Sequence, residues 1–356
     1  MSTINREEML KILTAVTPGL SPRPIVEQSD CFCFDGGKVI TFHEPTACWT
    51  KCPLDLTGAV PAKPLLDILR ARPEETLDIA AEDGKLVLRG KGKRRTRVLM
   101  EAKVTLPYGD IPKPSGWVRL PPDFLDAVDM VHRCCGKDED KLDVYVHIHP
   151  ERVEAIGESR VGHFRCKLPI QTDAIIHKES IKHVVALGMT HVCVSDKWLQ
   201  FKNAAGVVLS CQQGAGKEDY PDTAKALKIS GQRIELPRGL DGAVERAAVF
   251  SRENADDDEV LVKLKRNEVW IVGTGVSGDH QEPKKVGYDG PPLKFFISPK
   301  LLSDLCKKHT EAWVTADTLK VKSGKFTFIT GLTTVEDREA GKQEESGEEV
   351  VEEAEE

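Results

Sequence analysis

An α+β fold built as three copies of one unit, each with two helices on antiparallel sheet, is what this 356-residue sequence predicts. Three observations predict it: two helical stripes that recur at a near-constant offset, and alternating hairpins that follow the second stripe each time. Length agrees, since one core rarely serves more than about 300 residues.

The first stripe is Met9, Ile12, Leu13 and Val16, the i, i+3, i+4, i+7 face of an amphipathic helix. It returns at Phe124, Ala127, Val128 and Val131, then at Leu240, Ala243, Val244 and Ala247. The second is Leu65, Ile68 and Leu69, repeated at Ile181, Val184 and Val185 and at Leu302, Leu305 and Cys306. Any one stripe is ordinary core patterning; three in register are a repeat. Pro64, Pro121–Pro122, Pro237 and Pro299 mark helix starts, where a missing N–H costs nothing.

Hairpins are expected over 77–90, 191–203 and 312–331, broken at Asp-Gly, Asp-Lys and Ser-Gly. Further strands fit 31–42, 141–149 and 259–273. The stretch GDHQEPKKVGYDGPP (278–292) reads as loop, absorbing the longer spacing of the third unit. Domains are expected at 1–114, 115–229 and 230–335, followed by 336–356. That last segment has eleven acids against two bases, net −9, so the body stands at +2 once it is taken from the chain's −7. Such a tail repels itself and is expected to stay disordered.

No stretch reaches the roughly 20 apolar residues of a membrane span, and MSTINREEML reads as a polar helix start rather than a signal peptide. Ten irregularly spaced cysteines suit a reducing, cytoplasmic setting.

These residues carry a family resemblance. The stretches AVPAKPLLDILRARPEETLDIAAEDGKLVLRG (59–90), LPYGDIP (106–112), VLSCQQGAGKEDYPD (208–222), LDGAVERAAVFS (240–251) and VGYDGPPLKFFISPKLLSDLC (286–306) resemble the bacterial DNA sliding clamp, the beta subunit of DNA polymerase III. The resemblance covers nearly all of 1–335 with scattered identity. It implies two chains closed head to tail into a six-domain ring around duplex DNA in the nucleoid. The implied partners are double-stranded DNA, DNA polymerase and other clamp-binding peptides, a clamp loader and a second copy, with no cofactor and no catalytic step.

A sliding ring needs sequence-independent attraction to phosphate, and retention by topology lets each contact stay weak. The second helices are net basic: Lys63, Arg70 and Arg72 against Asp67, Lys178 and Lys182 against Glu179, and Lys300, Lys307 and Lys308 against Asp304. Arg238 and Arg246 add to the third unit's first helix. In the family these helices line the hole; otherwise such cations solubilise helix faces. By resemblance Arg23 and Lys137 also face the duplex. The run KGKRRTR (91–97) is a phosphate or targeting patch, or a sheet edge blunted by charge.

The resemblance places a peptide groove at Ala155, Arg160 and Val161 on one wall and Thr327, Phe328 and Ile329 on the other. It places the dimer contact at Ile111 and at Val286 and Tyr288. The family's Met-Pro-Met ending is FTFITGL here.

Other motifs carry less. GTGVSG (273–278) fits G-x-G-x-x-G, but no helix can open after it. QQGAGKE lacks the first Gly and the Ser/Thr of a phosphate loop. Cys31, Cys33, Cys48 and Cys52 could hold zinc, or Cys31 and Cys33 could share one strand face. Two other readings stay open: a clamp-fold platform for transcription or repair, and a zinc- or nucleotide-dependent enzyme.

Overall fold

The computed structural model describes residues 2–23, 26–138, 141–253 and 258–340; most of the acidic segment, 341–356, lies outside them. The chain divides into two compact units. One comprises residues 1–155 and 165–220, the other 156–164 and 221–356.

Eight helices occur among the described residues: α1 (Arg6–Ala15), α2 (Ala62–Ala71), α3 (Phe124–Val131), α4 (Lys178–Ala186), the single turn α5 (Ala224–Leu227), α6 (Leu240–Ser251), α7 (Pro299–Lys308) and a short one over 335–340. Helix α1 contacts α2, α3 contacts α4, and α6 contacts α7. The stripes form their cores: Met9, Leu13, Leu65, Leu69, Phe124, Val128, Ile181, Val184, Val244 and Ala247 are all at most 1% exposed. Asn5 caps α1 by accepting from the Glu7 and Glu8 amides, at 2.9 and 3.1 Å. Residues 2–5, expected to begin that helix, form instead a strand paired with Thr76–Glu82.

In the first unit Ser2–Asn5, Thr76–Glu82, Lys85–Arg89 and Arg95–Leu99 form a four-stranded antiparallel sheet in that order. Asp83 (φ 48°) and Gly84 (φ 69°) make the two-residue turn that the Asp-Gly pair predicted. A second sheet runs Thr57–Pro61, Cys31–Asp35, Lys38–His43, Thr46–Lys51, Val208–Gln212, Trp198–Lys202, His191–Val194 and Val118–Arg119. Its middle pairing, Leu209 opposite Cys48, joins strands of the first and second repeats. A cluster of Cys31, Cys33, Phe42, Ala47, Ala59, Leu106 and Trp198 draws on both, with Ile111 packed against it. Ala174–His177, Tyr145–His149 and Arg152–Ile156 also pair in this unit.

In the second unit Arg160–Arg165, Phe326–Gly331, Thr318–Ser323, Glu311–Val314 and Gln232–Glu235 lie side by side. Its other sheet is Gly278–Lys285, Glu268–Gly275, Val260–Lys265, Leu293–Ile297 and Thr333–Thr334. The expected loop over 278–292 is thus a strand through Lys285, paired along its length with Glu268–Gly275. Pro283 is tolerated because this strand forms the sheet's edge, where one face of the backbone needs no donor. GTGVSG is the tip of that hairpin.

The chain then runs past Leu332 into Thr333–Thr334 and a helical turn over 335–340. Thr334 and Asp337 cap that turn reciprocally: the Asp337 amide donates to Thr334 Oγ1 at 3.1 Å, and the Thr334 amide donates to the Asp337 carboxylate at 3.3 Å. Residues 336–340 are therefore ordered, in contrast to the disorder expected of the acidic segment from its start. No described helix is long and apolar enough to cross a membrane, which leaves strands unaddressed.

Candidate nucleic-acid interface

The cations that composition assigned to phosphate divide into three groups once placed. Lys63 near the start of α2, Arg238 just before α6, and Lys300 and Lys308 on α7 are exposed and make no ion pair to the described residues. Arg23 and Lys137, in loops, are exposed and equally unpaired. These six are available to an anion.

A second group is partly spoken for. Arg70 lies 3.5 Å from Asp67, and Lys182 pairs with Glu179 one turn earlier on α4. Lys178 donates to the Gly136 carbonyl at 2.7 Å. Arg246 sends Nε and Nη2 to one oxygen of Glu282, at 2.8 and 2.7 Å. Lys307 donates to Glu245 at 2.8 Å, a bond that raises the lysine's pKa and lowers the carboxyl's. Exposed pairs of this kind are worth little and exchange readily for phosphate.

Arg72 stands alone and corrects the expectation. It is the C-cap of α2, and its side chain is 7% exposed. Nη2 donates to the Leu88 carbonyl at 3.1 Å and to Thr96 Oγ1 at 2.7 Å, while Nη1 lies 3.7 Å from Glu74, itself 4% exposed. The room comes from Gly90, where a Cβ would fall 2.4 Å from Glu74 Oε1 and 2.9 Å from Arg72 Nη1. An arginine so enclosed holds the sheet to the helix and cannot reach DNA.

Two sites predicted from different repeats meet. Arg23 and Lys182 line one cleft of about 900 Å³ in the first unit, with His43 and His183. Spacing could not have joined them, because the contact depends on the pairing of Thr46–Lys51 with Val208–Gln212.

The remaining predicted residues scatter. In the second unit Val161 lies opposite Ile329 and Arg160 opposite Thr330 in adjacent strands, so these two expected groove segments are neighbours. Arg160, Val161 and Thr327 are half-buried, whereas Phe328 and Ile329 are buried and could only floor a groove. Ala155 has no exposed surface, so its methyl cannot form a wall. Two of the three dimer-contact residues are also corrected, while Ile111 keeps part of its surface in solvent. Val286 (6%) and Tyr288 (2%) are core, the Tyr288 hydroxyl donating to Pro291 O at 2.7 Å, and Ile111 packs on its own chain's cluster.

The cysteines read as core. Cys31, Cys33, Cys48 and Cys52 are all buried. Burial pushes the Cys31 and Cys33 thiols up to about 12 and Cys48 higher still, disfavouring the thiolate a metal requires. Among the described residues no group of three or more His, Cys, Asp or Glu is arranged to hold a metal ion.

The architecture itself defines a class: this chain has the fold of the bacterial DNA sliding clamp. The sliding clamp (DNA polymerase III subunit beta) of Bartonella birtlesii, solved bound to griselimycin, superposes with a TM-score of 0.81 at 16% identity, over 94% of this chain and 99% of that one. The beta chain of Streptococcus pneumoniae DNA polymerase III gives 0.79 at 16% identity, and the beta subunit from Thermotoga maritima 0.78 at 15%, each with the same coverage. No protein-family model matches the sequence, and no curated protein does. At these identities the likeness establishes the fold.

Proposed function

We propose that the protein is a DNA sliding clamp: a processivity factor that encircles duplex DNA and tethers polymerase and other replication or repair proteins through short peptides, without catalysing a reaction. The observation that carries this reading is structural correspondence with sliding clamps along 94% of the chain, together with six exposed cations near the helices of all three repeats that make no ion pair to the described residues. Weak, sequence-independent phosphate contacts are what a ring that must slide requires. Domain limits at 1–114, 115–229 and 230–335 follow the repeat.

Ring closure needs more surface than the half-buried Ile111 offers, since Val286 and Tyr288 are core. Two strands qualify. Arg95–Leu99 ends the first unit's four-stranded sheet, with Leu99 62% exposed, and Gly278–Lys285 ends a sheet of the second unit. Neither outer edge is paired among the described residues. An unpaired edge invites another strand. Joining two different edges makes a heterologous contact, which closes into a ring when the rotation permits.

The peptide site is proposed at Arg160, Val161 and Thr327 over Phe328 and Ile329. Loading would fall to a separate ATP-driven clamp loader, and the setting would be the nucleoid.

Negative-stain imaging with a solution mass tests the reading. A ring with a central hole, near twice 39.4 kDa, is the expected result. A protein that remains on circular plasmid after loading but slides off once the plasmid is linearised would complete the case. A compact monomer that never persists on circular DNA would refute it.

A further inference from the structure

The cleft holding Arg23 and Lys182 offers more than two cations. Its walls come from the end of α1 and the segment after it, from residues 43–46, and from α4. Thr46 Oγ1 and Ser180 Oγ, 2.6 Å apart and buried, tie the strand to the helix beneath it. Glu44 and Glu179 line it as well, so its formal charges balance and it does not select a bare anion.

What the cleft presents instead is heteroaromatic and apolar surface. The His43 Nδ1 donates to the Glu44 carbonyl at 2.7 Å, which fixes the ring in the cleft. His177 accepts the Glu179 amide through Nδ1 at 3.3 Å, capping α4. The His183 ring makes no hydrogen bond to the described residues. Burial, then the neighbouring Lys182, lowers its pKa and keeps it neutral, able both to donate and to accept. Pro18, Leu20, Pro22 and Leu187 complete the lining.

Flat rings, proline faces, a two-way hydrogen-bonding group and one guanidinium with no ion pair to the described residues suit a nucleobase followed by its phosphate. A base inside a duplex cannot enter such a recess; an unpaired one can. Resting on the reading that DNA passes this face, we infer that the cleft takes an unpaired nucleotide of a single strand, base among His43 and His183, phosphate on Arg23. The chain would then hold not only duplex but also the single-stranded segment beside it.

Purified protein is titrated at low salt with a fluorescein-labelled oligothymidylate and with a blunt duplex, following anisotropy. Two variants are compared: His183→Ala, and Ala186→Trp, which fills the cleft from an exposed position at the end of α4. The oligothymidylate binds the parent protein, and each variant weakens it about tenfold with blunt-duplex affinity unchanged. No binding of the oligothymidylate, or parent-like affinity in both variants, overturns the inference. So does equal loss for duplex and single strand in variants that still melt cooperatively. Thymidine monophosphate serves as competitor: if it matches the oligomer in affinity, the site is for a free nucleotide and the strand assignment falls. Retention on circular plasmid is scored separately. Retention without oligothymidylate binding sinks only the cleft, and discrimination by the variants without retention sinks only the clamp.

Discussion

The last turns of α2 and α7 occupy equivalent places in the repeat, and each ends on an extended C-cap whose amide reaches back four residues, Arg72 to Ile68 and His309 to Leu305. Both turns contributed basic residues to the expected DNA surface. Their charges meet different fates. The position that caps α2 holds a buried arginine locked to Glu74, Leu88 and Thr96. The position that caps α7 holds a half-buried histidine, and the lysines before it stay in water. Cap geometry, not residue type, decides which charge is available, because an extended C-cap points its side chain back over the sheet.

The strongest way to break that comparison is Arg72→Ala. Removing it leaves Glu74, 4% exposed, with the solvent-facing Arg94 at 3.2 Å as its remaining partner, and the unfolding midpoint should fall by about 5 °C, with DNA affinity of the folded protein unchanged. A variant that melts like the parent but releases DNA would show Arg72 to be a surface contact after all. A finer test sets Lys300 against Lys307. Lys300→Ala should reduce the slope of log affinity against log salt by about 0.9, and Lys307→Ala by less, since Glu245 already answers its charge. Glu245→Gln should strengthen DNA binding a few-fold by freeing Lys307.

The smallest effect concerns Glu282. Hydrogen bonds from Lys284 and then Arg246 hold its carboxyl down at about 2, against an ordinary 4.5. A depressed value stabilises the fold above the unfolded value and is lost as pH falls through the folded one. The midpoint gap between the parent and Glu282→Gln, under about 3 °C for so exposed a group, should be constant from pH 7 to about 5 and close toward pH 2.

What the sequence disclosed was what periodicity can carry: six helices, the hairpins at Asp83–Gly84 and Asp196–Lys197 and a third whose turn falls one residue past the expected Ser-Gly, at Gly324–Lys325, and the threefold recurrence. The strand at 278–285 escaped because an exposed edge has no apolar alternation to display, and Pro283 argued against it. The resemblance puts Val286 and Tyr288 at a dimer contact, and nothing local in the sequence distinguishes a buried tyrosine from an interface one; only the Pro291 carbonyl that receives its hydroxyl does. The cleft was illegible for a stronger reason. His43 and His183 are 140 positions apart in sequence, and what brings them together is a strand pairing between repeats that no spacing encodes.

That pairing of Thr46–Lys51 with Val208–Gln212 separates ancestry from cooperativity. The repeats look like beads that duplication strung together, yet the first and second share a sheet and Trp198 fills a cluster built mainly by the first. A fragment cut at residue 114 would carry a raw sheet edge and a hollow where the indole had been, inviting aggregation instead of folding alone. Residues on both sides of that boundary should exchange their amide hydrogens in a single opening event, so that the smallest autonomous piece of this chain is a pair of repeats.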